Sequence, residues 1–117
     1  MKIKTSELTG AALDWAVAKC EGKEAARVKG LGGAVRLFRS VGYDPTPWQP
    51  STDWAQGGPI IERERIATRE NADSPDWYAC KRWDSHGVFG PTPLIAAMRC
   101  YVASKLGDNI DIPEELK

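Results

Sequence analysis

Apolar residues recur at helical spacing near the amino terminus of the chain. Leu13, Ala16 and Val17 lie three and four positions apart, and threonine and serine residues that can cap a helix precede them. Gly22 supplies a stop signal at the other end. This pattern predicts a first helix over roughly 7–21 whose alanine-rich face packs against a core.

A second helical pattern, stronger than the first, lies near the carboxyl terminus. The Thr92 hydroxyl can cap the amino end of a helix, Pro93 suits its first position, and Gly107 suits its carboxyl end. These signals predict a helix over about 93–106. Its predicted inward stripe follows steps of three, four and four residues and consists of Ile95, Met98, Val102 and Leu106.

Between these helices the pattern changes to the alternation that is typical of strands. Residues 66–83 read IATRENADSPDWYACKRW, in which turn chemistry separates two runs of β-branched and aromatic residues. Two paired antiparallel strands are predicted, with Trp77 and Ala79 on one face and Tyr78 on the other. A strand or a short helix is expected near 34–39.

The stretch STDWAQGGPIIERE carries conflicting signals. Ser51 or Thr52 can cap a helix over about 51–65, yet two glycines and Pro59 follow where that helix should run. Helical spacing predicts an inward stripe of Trp54, Gly57 or Gly58, and Ile61. Pro59 then either kinks the helix or begins a new turn.

Together these elements indicate an α+β fold in which about three helices pack against a small antiparallel sheet. Ile110 and Ile112, before Pro113, predict one further edge strand. A length of 117 residues is sufficient for one domain with its own core, so a single domain over 1–117 is expected.

Composition excludes some classes of protein. The 16 basic and 16 acidic side chains balance, so no net field attracts nucleic acid or an anionic membrane. No apolar run approaches the length of a membrane span, and no membrane partner is expected. Three separated cysteines without a C-x-x-C pair favour reduced thiols in a cytoplasmic compartment. The five tryptophans favour dense packing, a binding surface or a homo-oligomer contact.

Residues with recognisable chemistry are few. His86 is the sole histidine. A catalytic base and a metal ligand are the two functional roles open to it, but loop histidines are more commonly ordinary polar surface residues. The metal-binding motifs are absent, and neither a metal nor a cofactor is expected. An alternative site would combine His86 and Thr92 with the start of the second helix, where Ser51, Thr52, Asp53 and Trp54 lie.

A local excess of basic residues lies within 23–39, although the whole chain is neutral. Its basic members are Lys23, Arg27, Lys29, Arg36 and Arg39. Such a patch can contact nucleic-acid phosphates, but a solvated surface is the commoner explanation. The glycine run within this segment lacks the pattern of a phosphate loop.

Three blocks of the sequence resemble a known family. The segments KTSELTGAALDWAVAKCEG, PSTDWAQGGPIIERE and GPTPLIAAMRCYVASKLGD are similar to NinX, a family of small proteins of lambdoid phages and prophages. A more distant similarity extends to a phage domain described as an α-β-α sandwich. The resemblance implies helices around a small sheet, a phage or prophage origin and the bacterial cytoplasm. It carries over no catalytic residue.

The leading functional hypothesis is a small accessory protein, not an enzyme, that binds a host or phage macromolecule. Its surface would contain Trp48, Trp54 and the loop 86–90, because loops held by a rigid scaffold often carry binding. Nucleic-acid binding through 23–39 and a small-ligand or enzyme site near His86 are the alternatives.

Overall fold

The computed structural model describes residues 2–23, 26–29, 35–38, 47–81 and 87–116, and for 26–29 and 35–38 it describes the backbone alone. The described residues form three α-helices, namely α1 (Gly10–Cys20), α2 (Trp54–Glu64) and α3 (Pro93–Leu106). They also form two short 3₁₀ turns, Thr5–Glu7 and Glu114–Leu116. This composition of elements confirms the α+β class.

The described residues also form seven strands, which pair in three antiparallel groups. They are β1 (Lys2–Lys4), β2 (Ala26–Lys29), β3 (Val35–Phe38), β4 (Ile66–Glu70), β5 (Trp77–Lys81), β6 (Val88–Gly90) and β7 (Asn109–Asp111). β1 pairs with β7, β2 pairs with β3, and β4, β5 and β6 form a three-stranded sheet in that order. The predicted hairpin and the predicted edge strand near Ile110 are therefore confirmed, and 35–38 is a strand.

The helix α3 lies at the centre of the fold. It packs against all three strands of the β4–β5–β6 sheet and also against α1 and α2. A helix that is apolar on every side is covered on every side, and α3 buries a correspondingly wide set of residues. These are Leu94, Ala96, Ala97, Met98, Cys100, Tyr101 and Val102.

The bounds predicted for this helix are confirmed, but its predicted stripe was too narrow. Met98 and Val102 are buried, whereas Leu106, the last helical residue, is 40% exposed. Leu106 lies beyond the turns of α3 that the sheet covers. Helical spacing put it on the inward stripe, but the core does not extend to the last residue of the helix. Thr92 caps the helix as predicted, because its hydroxyl accepts a hydrogen bond from the Ile95 N–H at 3.0 Å.

The helix α1 begins later than predicted, at Gly10, and buries Leu13, Ala16 and Val17 against α3. The helix α2 is also shorter than its predicted range of 51–65. Its cap is Asp53, whose side chain accepts a hydrogen bond from the Ala55 N–H at 2.9 Å. The prediction of Ser51 or Thr52 as the cap was therefore wrong.

The inward face of α2 consists of Gly57 and Ile60, and Trp54 is 55% exposed. At about 100° per residue, Trp54 and Ile60 lie roughly 120° apart around the helix, so the tryptophan cannot share the buried face. Gly57 is required there, because a Cβ atom would overlap the Pro50 carbonyl and the Leu94 side chain. The helix continues through Pro59 to Glu64, so no new helix begins at the proline.

The inner face of the three-stranded sheet lies on α3. Ala79 on this face is fully buried, and Gly90 in β6 approaches α3 so closely that a Cβ atom would lie 2.7 Å from the Ala96 nitrogen.

No helix in the described part of the chain is long and apolar enough to span a membrane.

Candidate binding surface and the predicted site residues

Three side chains form a row across the outer face of the sheet. Arg69 in β4 pairs in register with Tyr78 in β5, and Tyr78 pairs with Phe89 in β6. The guanidinium carbon of Arg69 lies 4.9 Å from the centre of the Tyr78 ring. The Tyr78 and Phe89 rings meet edge to face with their centres 5.2 Å apart. We call these three residues the outer-face row.

The row presents aromatic surface to solvent in a defined position. Phe89 is 47% exposed and Arg69 is exposed, while Tyr78 is half-buried. The Tyr78 ring covers the backbone at Gly87, where a Cβ atom would overlap the ring. Contacts with Arg69, Phe89 and Gly87 therefore hold Tyr78 in place, and edge-to-face aromatic pairs add about 0.5–1.5 kcal/mol beyond their buried area.

A cleft of about 470 Å³ opens beside the outer-face row. The row forms one wall, and the end of β4 at Glu70 with residues 71–73 of the following turn forms the other. This turn is held by its own hydrogen bonds, because the Asn71 side chain accepts from the Asp73 N–H at 3.1 Å and donates to Ser74 Oγ at 3.2 Å. The cleft thus combines aromatic surface with a defined polar rim, a mixture that suits recognition of another molecule.

The segment before α2 is anchored on α1. The Trp48 indole N–H donates to the Asp14 carbonyl at 2.8 Å, and the Ser51 N–H donates to the Asp14 carboxylate at 2.8 Å. Trp48 is 7% exposed, and both Ser51 and Asp14 are buried. Of the residues predicted to bind, Trp48 and Ser51 are therefore packed inside the molecule and position the amino end of α2.

Asp14 is a buried carboxylate that the sequence did not reveal. Burial raises its pKa to about 6, against the lowering effect of its contacts with Ser51. Ser51 Oγ is also buried, and its geometry gives it no hydrogen-bond partner within the described residues. The contact between Asp14 and Ser51 therefore helps to attach the segment 48–51 to α1.

The remaining predicted residues divide between caps and surface. Asp53 and Thr92 cap α2 and α3 respectively, so their oxygens accept backbone N–H groups. Thr52 and Trp54 are exposed at the start of α2. The structure brings the amino ends of α2 and α3 together, since Gly57 touches Leu94. His86 lies outside the described residues, and its predicted role stays a prediction.

A second group of polar side chains joins the carboxyl ends of α1 and α2 to α3. Arg63 donates two hydrogen bonds to the Glu21 carboxylate, at 2.6 and 3.1 Å, and a third to the Tyr101 hydroxyl at 3.2 Å. The Tyr101 hydroxyl in turn donates to Glu21 at 2.5 Å. We call Glu21, Arg63 and Tyr101 the closed cluster.

The closed cluster continues to the sheet through Glu64. This carboxylate accepts hydrogen bonds from Arg63 at 3.0 Å and from Lys81 at 3.1 Å. Partial burial acts to raise the pKa of Glu21, but hydrogen bonds from Arg63 and Tyr101 outweigh it and lower the net pKa. The carboxylates are thereby committed to structural pairs, and sequence spacing missed them because Glu21 and Arg63 are 42 positions apart.

Two kinds of chemistry are not favoured by these surroundings. Burial, together with the Glu21 charge, raises the pKa of the Cys20 thiol to about 11, so this thiol is protonated at neutral pH and is a weak nucleophile. Within the described ranges no three histidine, cysteine or acidic side chains are grouped so that they could hold a metal ion.

Comparison with known proteins assigns the chain to a family. No curated protein matches the sequence significantly. The family model described as bacteriophage P22 NinX matches residues 4–105, which include α1, α2, the three-stranded sheet and all of α3 except its last residue. The chain therefore belongs to the bacteriophage P22 NinX family and is a small phage accessory protein.

Proposed function

We propose that the protein is a binding module, not an enzyme, for a host or phage macromolecule. The observation that carries this proposal is the outer-face row, in which Phe89 is 47% exposed on a rigid sheet beside a cleft of about 470 Å³. Aromatic and arginine side chains dominate the energetics of protein interfaces, and their preorganisation lowers the entropic cost of binding.

A second exposed aromatic residue supports the same function. Trp54 is 55% exposed at the start of α2, one helical turn before Gly57, which touches Leu94. Phe89 directly precedes Gly90, which packs against the next residues of α3. Both exposed rings therefore belong to elements that pack on the first turns of α3. Trp48 is left out of the proposed surface because it is buried.

Site-specific photo-crosslinking tests the proposal. A benzophenone amino acid replaces Phe89, Trp54 or Leu106 in separate variants that are produced during phage growth. Leu106 is the matched control, because it is also a large exposed apolar residue but lies at the opposite end of α3. We expect a discrete crosslinked partner from position 89 or 54 and none from 106. Identical products from all three positions, or none from 89 and 54, would refute the proposal.

Nucleic-acid binding through residues 23–39 is the second candidate function. The observation in its favour is that β2 and β3 form a two-stranded antiparallel ribbon whose strands contain Arg27, Lys29 and Arg36. A ribbon of this kind fits the major groove of duplex DNA. A salt-dependent mobility shift of labelled duplex, reduced in the Arg27→Ala/Lys29→Ala variant, is expected, and no shift at low salt would remove this candidate.

A further inference from the structure

We propose that α2 forms the contact between two copies of this chain, which pack antiparallel through the side of the helix that carries Trp54, Gly58 and Ile61. We call these three residues the α2 face. This contact is separate from the proposed function, because Trp54 then meets the second copy and Phe89 is left to the macromolecule.

The α2 face is an accessible side of the helix that combines a large side chain with an open space. At about 100° per residue, Gly58 and Ile61 lie within roughly 40° of Trp54 around the helix axis. Trp54 is 55% exposed, and Ile61 is half-buried. A Cβ atom added at Gly58 would meet no described residue within 4 Å. An indole therefore stands one turn before a position where another molecule can approach the helix backbone.

Gly58 is not required by any described neighbour within the molecule. Gly57 is different, because a Cβ atom there would overlap the Pro50 carbonyl and the Leu94 side chain. A glycine in a helix interior is destabilising, and it is typical of places where another chain approaches closely. The packing of one copy accounts for the first glycine, and packing by a second copy accounts for the next.

Antiparallel packing matches the α2 face with itself. Two copies that cross at the middle of the helix place Gly58 of each copy at the height of Ile61 of the other, because both lie equally far from the crossing point. The Ile61 side chain then fills the open space beside Gly58. In the same register Trp54 lies at the height of Arg65 of the second copy, which brings a cation to the exposed indole.

The charges at the two ends of α2 select a second copy in this orientation. Asp53 lies at the amino end, and the exposed Arg65 lies at the carboxyl end without an ion pair in the described part of the chain. Antiparallel packing brings these opposite charges together twice and also opposes the two helix dipoles. Parallel packing would place like charges together at both ends. The exposed Glu62 would lie opposite the uncharged residues 56–58.

The contact leaves the outer-face row accessible in both copies. The helix α2 packs against α3, which covers the inner face of the sheet, whereas the row lies on the opposite face. A dimer therefore presents two rows. Two linked sites bind a macromolecule with repeated sites more tightly than one site does.

Sedimentation equilibrium of the purified full-length protein tests for this dimer. A contact through an 11-residue helix is small, so we expect a weak monomer–dimer equilibrium, followed from micromolar to millimolar concentration. Trp54→Ala should raise the dimer Kd at least tenfold, because it removes the largest side chain of the contact. Gly58→Leu should have a similar effect, because leucine occupies the space that Ile61 of the second copy needs.

Ser104→Leu is the matched control for Gly58→Leu, because it places the same side chain at an exposed position of α3. Its dimer Kd should equal that of the original protein. Arg65→Glu should raise the Kd about three- to tenfold, since it replaces attraction to Asp53 of the second copy by repulsion. Circular dichroism checks that each variant is folded.

Photo-crosslinking of the purified protein locates the contact. A benzophenone amino acid at position 54 should give a covalent dimer joined to residues 61–65 of the second copy, and at position 106 it should give none. A monomer at every concentration, a dimer that Trp54→Ala and Gly58→Leu leave unchanged, equal weakening by Ser104→Leu, or a crosslink to another part of the chain would each overturn the proposed dimer. The proposed function would still stand, because it depends on the product that position 89 forms with a different molecule.

Discussion

The closed cluster and the outer-face row both place an arginine against a tyrosine, but only the first completes every contact internally. Arg63 lies 5.8 Å from the Tyr101 ring centre and forms a bidentate pair with Glu21, and Tyr101 is 1% exposed. Arg69 lies 4.9 Å from the Tyr78 ring centre, and the neighbouring Phe89 faces solvent.

The contrast shows that residue type does not separate an internally paired cluster from an exposed surface. Glu21 and Glu64 lie where helix ends converge, and basic side chains from other elements reach both carboxylates. Glu70 ends β4 and Asp73 lies on the turn that follows it, and no ion pair within the described residues involves either side chain. Pairing within the molecule makes the first set of charges structural, whereas the second set is exposed at the end of the β4–β5 hairpin.

Replacing each tyrosine by alanine should produce the largest difference between the two regions. Tyr101→Ala removes a fully buried aromatic side chain from the central helix, and we expect the free energy of unfolding to fall by about 3–5 kcal/mol. Tyr78→Ala removes a half-buried ring, so roughly half that loss is expected. Urea denaturation followed by tryptophan fluorescence measures both. Equal losses would mean that the outer-face row is as much a part of the core as Tyr101.

Replacing the buried Asp14 carboxylate should give the next largest change in the free energy of unfolding. Its pKa is 3.8 in the unfolded chain and about 6 in the fold. A raised carboxyl pKa contributes stability that is complete below pH 3.8 and is lost as pH rises through about 6. Asp14→Asn has no such titration, so it should match the original protein near pH 4 and exceed its stability by up to about 3 kcal/mol at pH 7.

Thermal and urea unfolding across pH 4–7 check this prediction. The amide oxygen of Asn can still accept from the Ser51 N–H, and its NH₂ can donate to Ser51 Oγ, which lacks a partner within the described residues. Parallel pH profiles for the two proteins would show that Asp14 titrates normally. The comparison of the two proteins cancels the opposite effect of Glu21, whose lowered pKa makes its stabilisation decline only as pH falls.

Removing only the hydroxyl groups isolates the polar difference between the two regions. The Tyr101 hydroxyl donates to Glu21 and accepts from Arg63, so Tyr101→Phe should cost about 1–2 kcal/mol. For Tyr78→Phe we expect a change within about 0.5 kcal/mol, because the ring contacts with Arg69 and Phe89 do not need the hydroxyl. A comparable cost at both positions would contradict the distinction.

A substitution at the edge of the closed cluster should change the free energy of unfolding least. The Lys105 ammonium lies 3.6 Å from Glu64, and its side chain is 46% exposed. Exposed ion pairs contribute little, so Lys105→Ala should change stability by less than about 0.5 kcal/mol. A larger loss, measured by urea denaturation in low salt, would extend the closed cluster to this end of α3.

Much of the fold was predictable because local signals coincide with its elements. The cap, proline and glycine around α3 set its bounds at 93 and 106, and alternation in 77–81 put Trp77 and Ala79 on the same face, which is the face that the core covers. The errors arose where a neighbour decides the outcome. Trp54 was assigned inward by spacing, but α2 packs through Gly57, because Pro50 and Leu94 occupy the space beside it.

The candidate site was less predictable than the fold. The tryptophans and loop 86–90 are the binding elements that the sequence predicts, but Trp48 is buried, and residues 88–90, which include Phe89, form the strand β6. Alternation predicts that Tyr78 lies on the opposite face from Trp77 but does not identify its partners, since the row depends on the register of the three-residue strand β6 with β5. Short strands have too few residues for periodicity to reveal their pairing.

The sequence by itself determined the α+β class, the bounds of α3, the hairpin of β4 and β5, and the family, since each depends on residues that are close in the chain or on similarity along it. Only the tertiary structure decided which charged groups are paired and which aromatic rings are exposed. Glu21 meets Arg63 across 42 positions, and Phe89 meets Tyr78 across a strand pairing. Burial and electrostatic pairing depend on distance in space, which the order of residues does not specify.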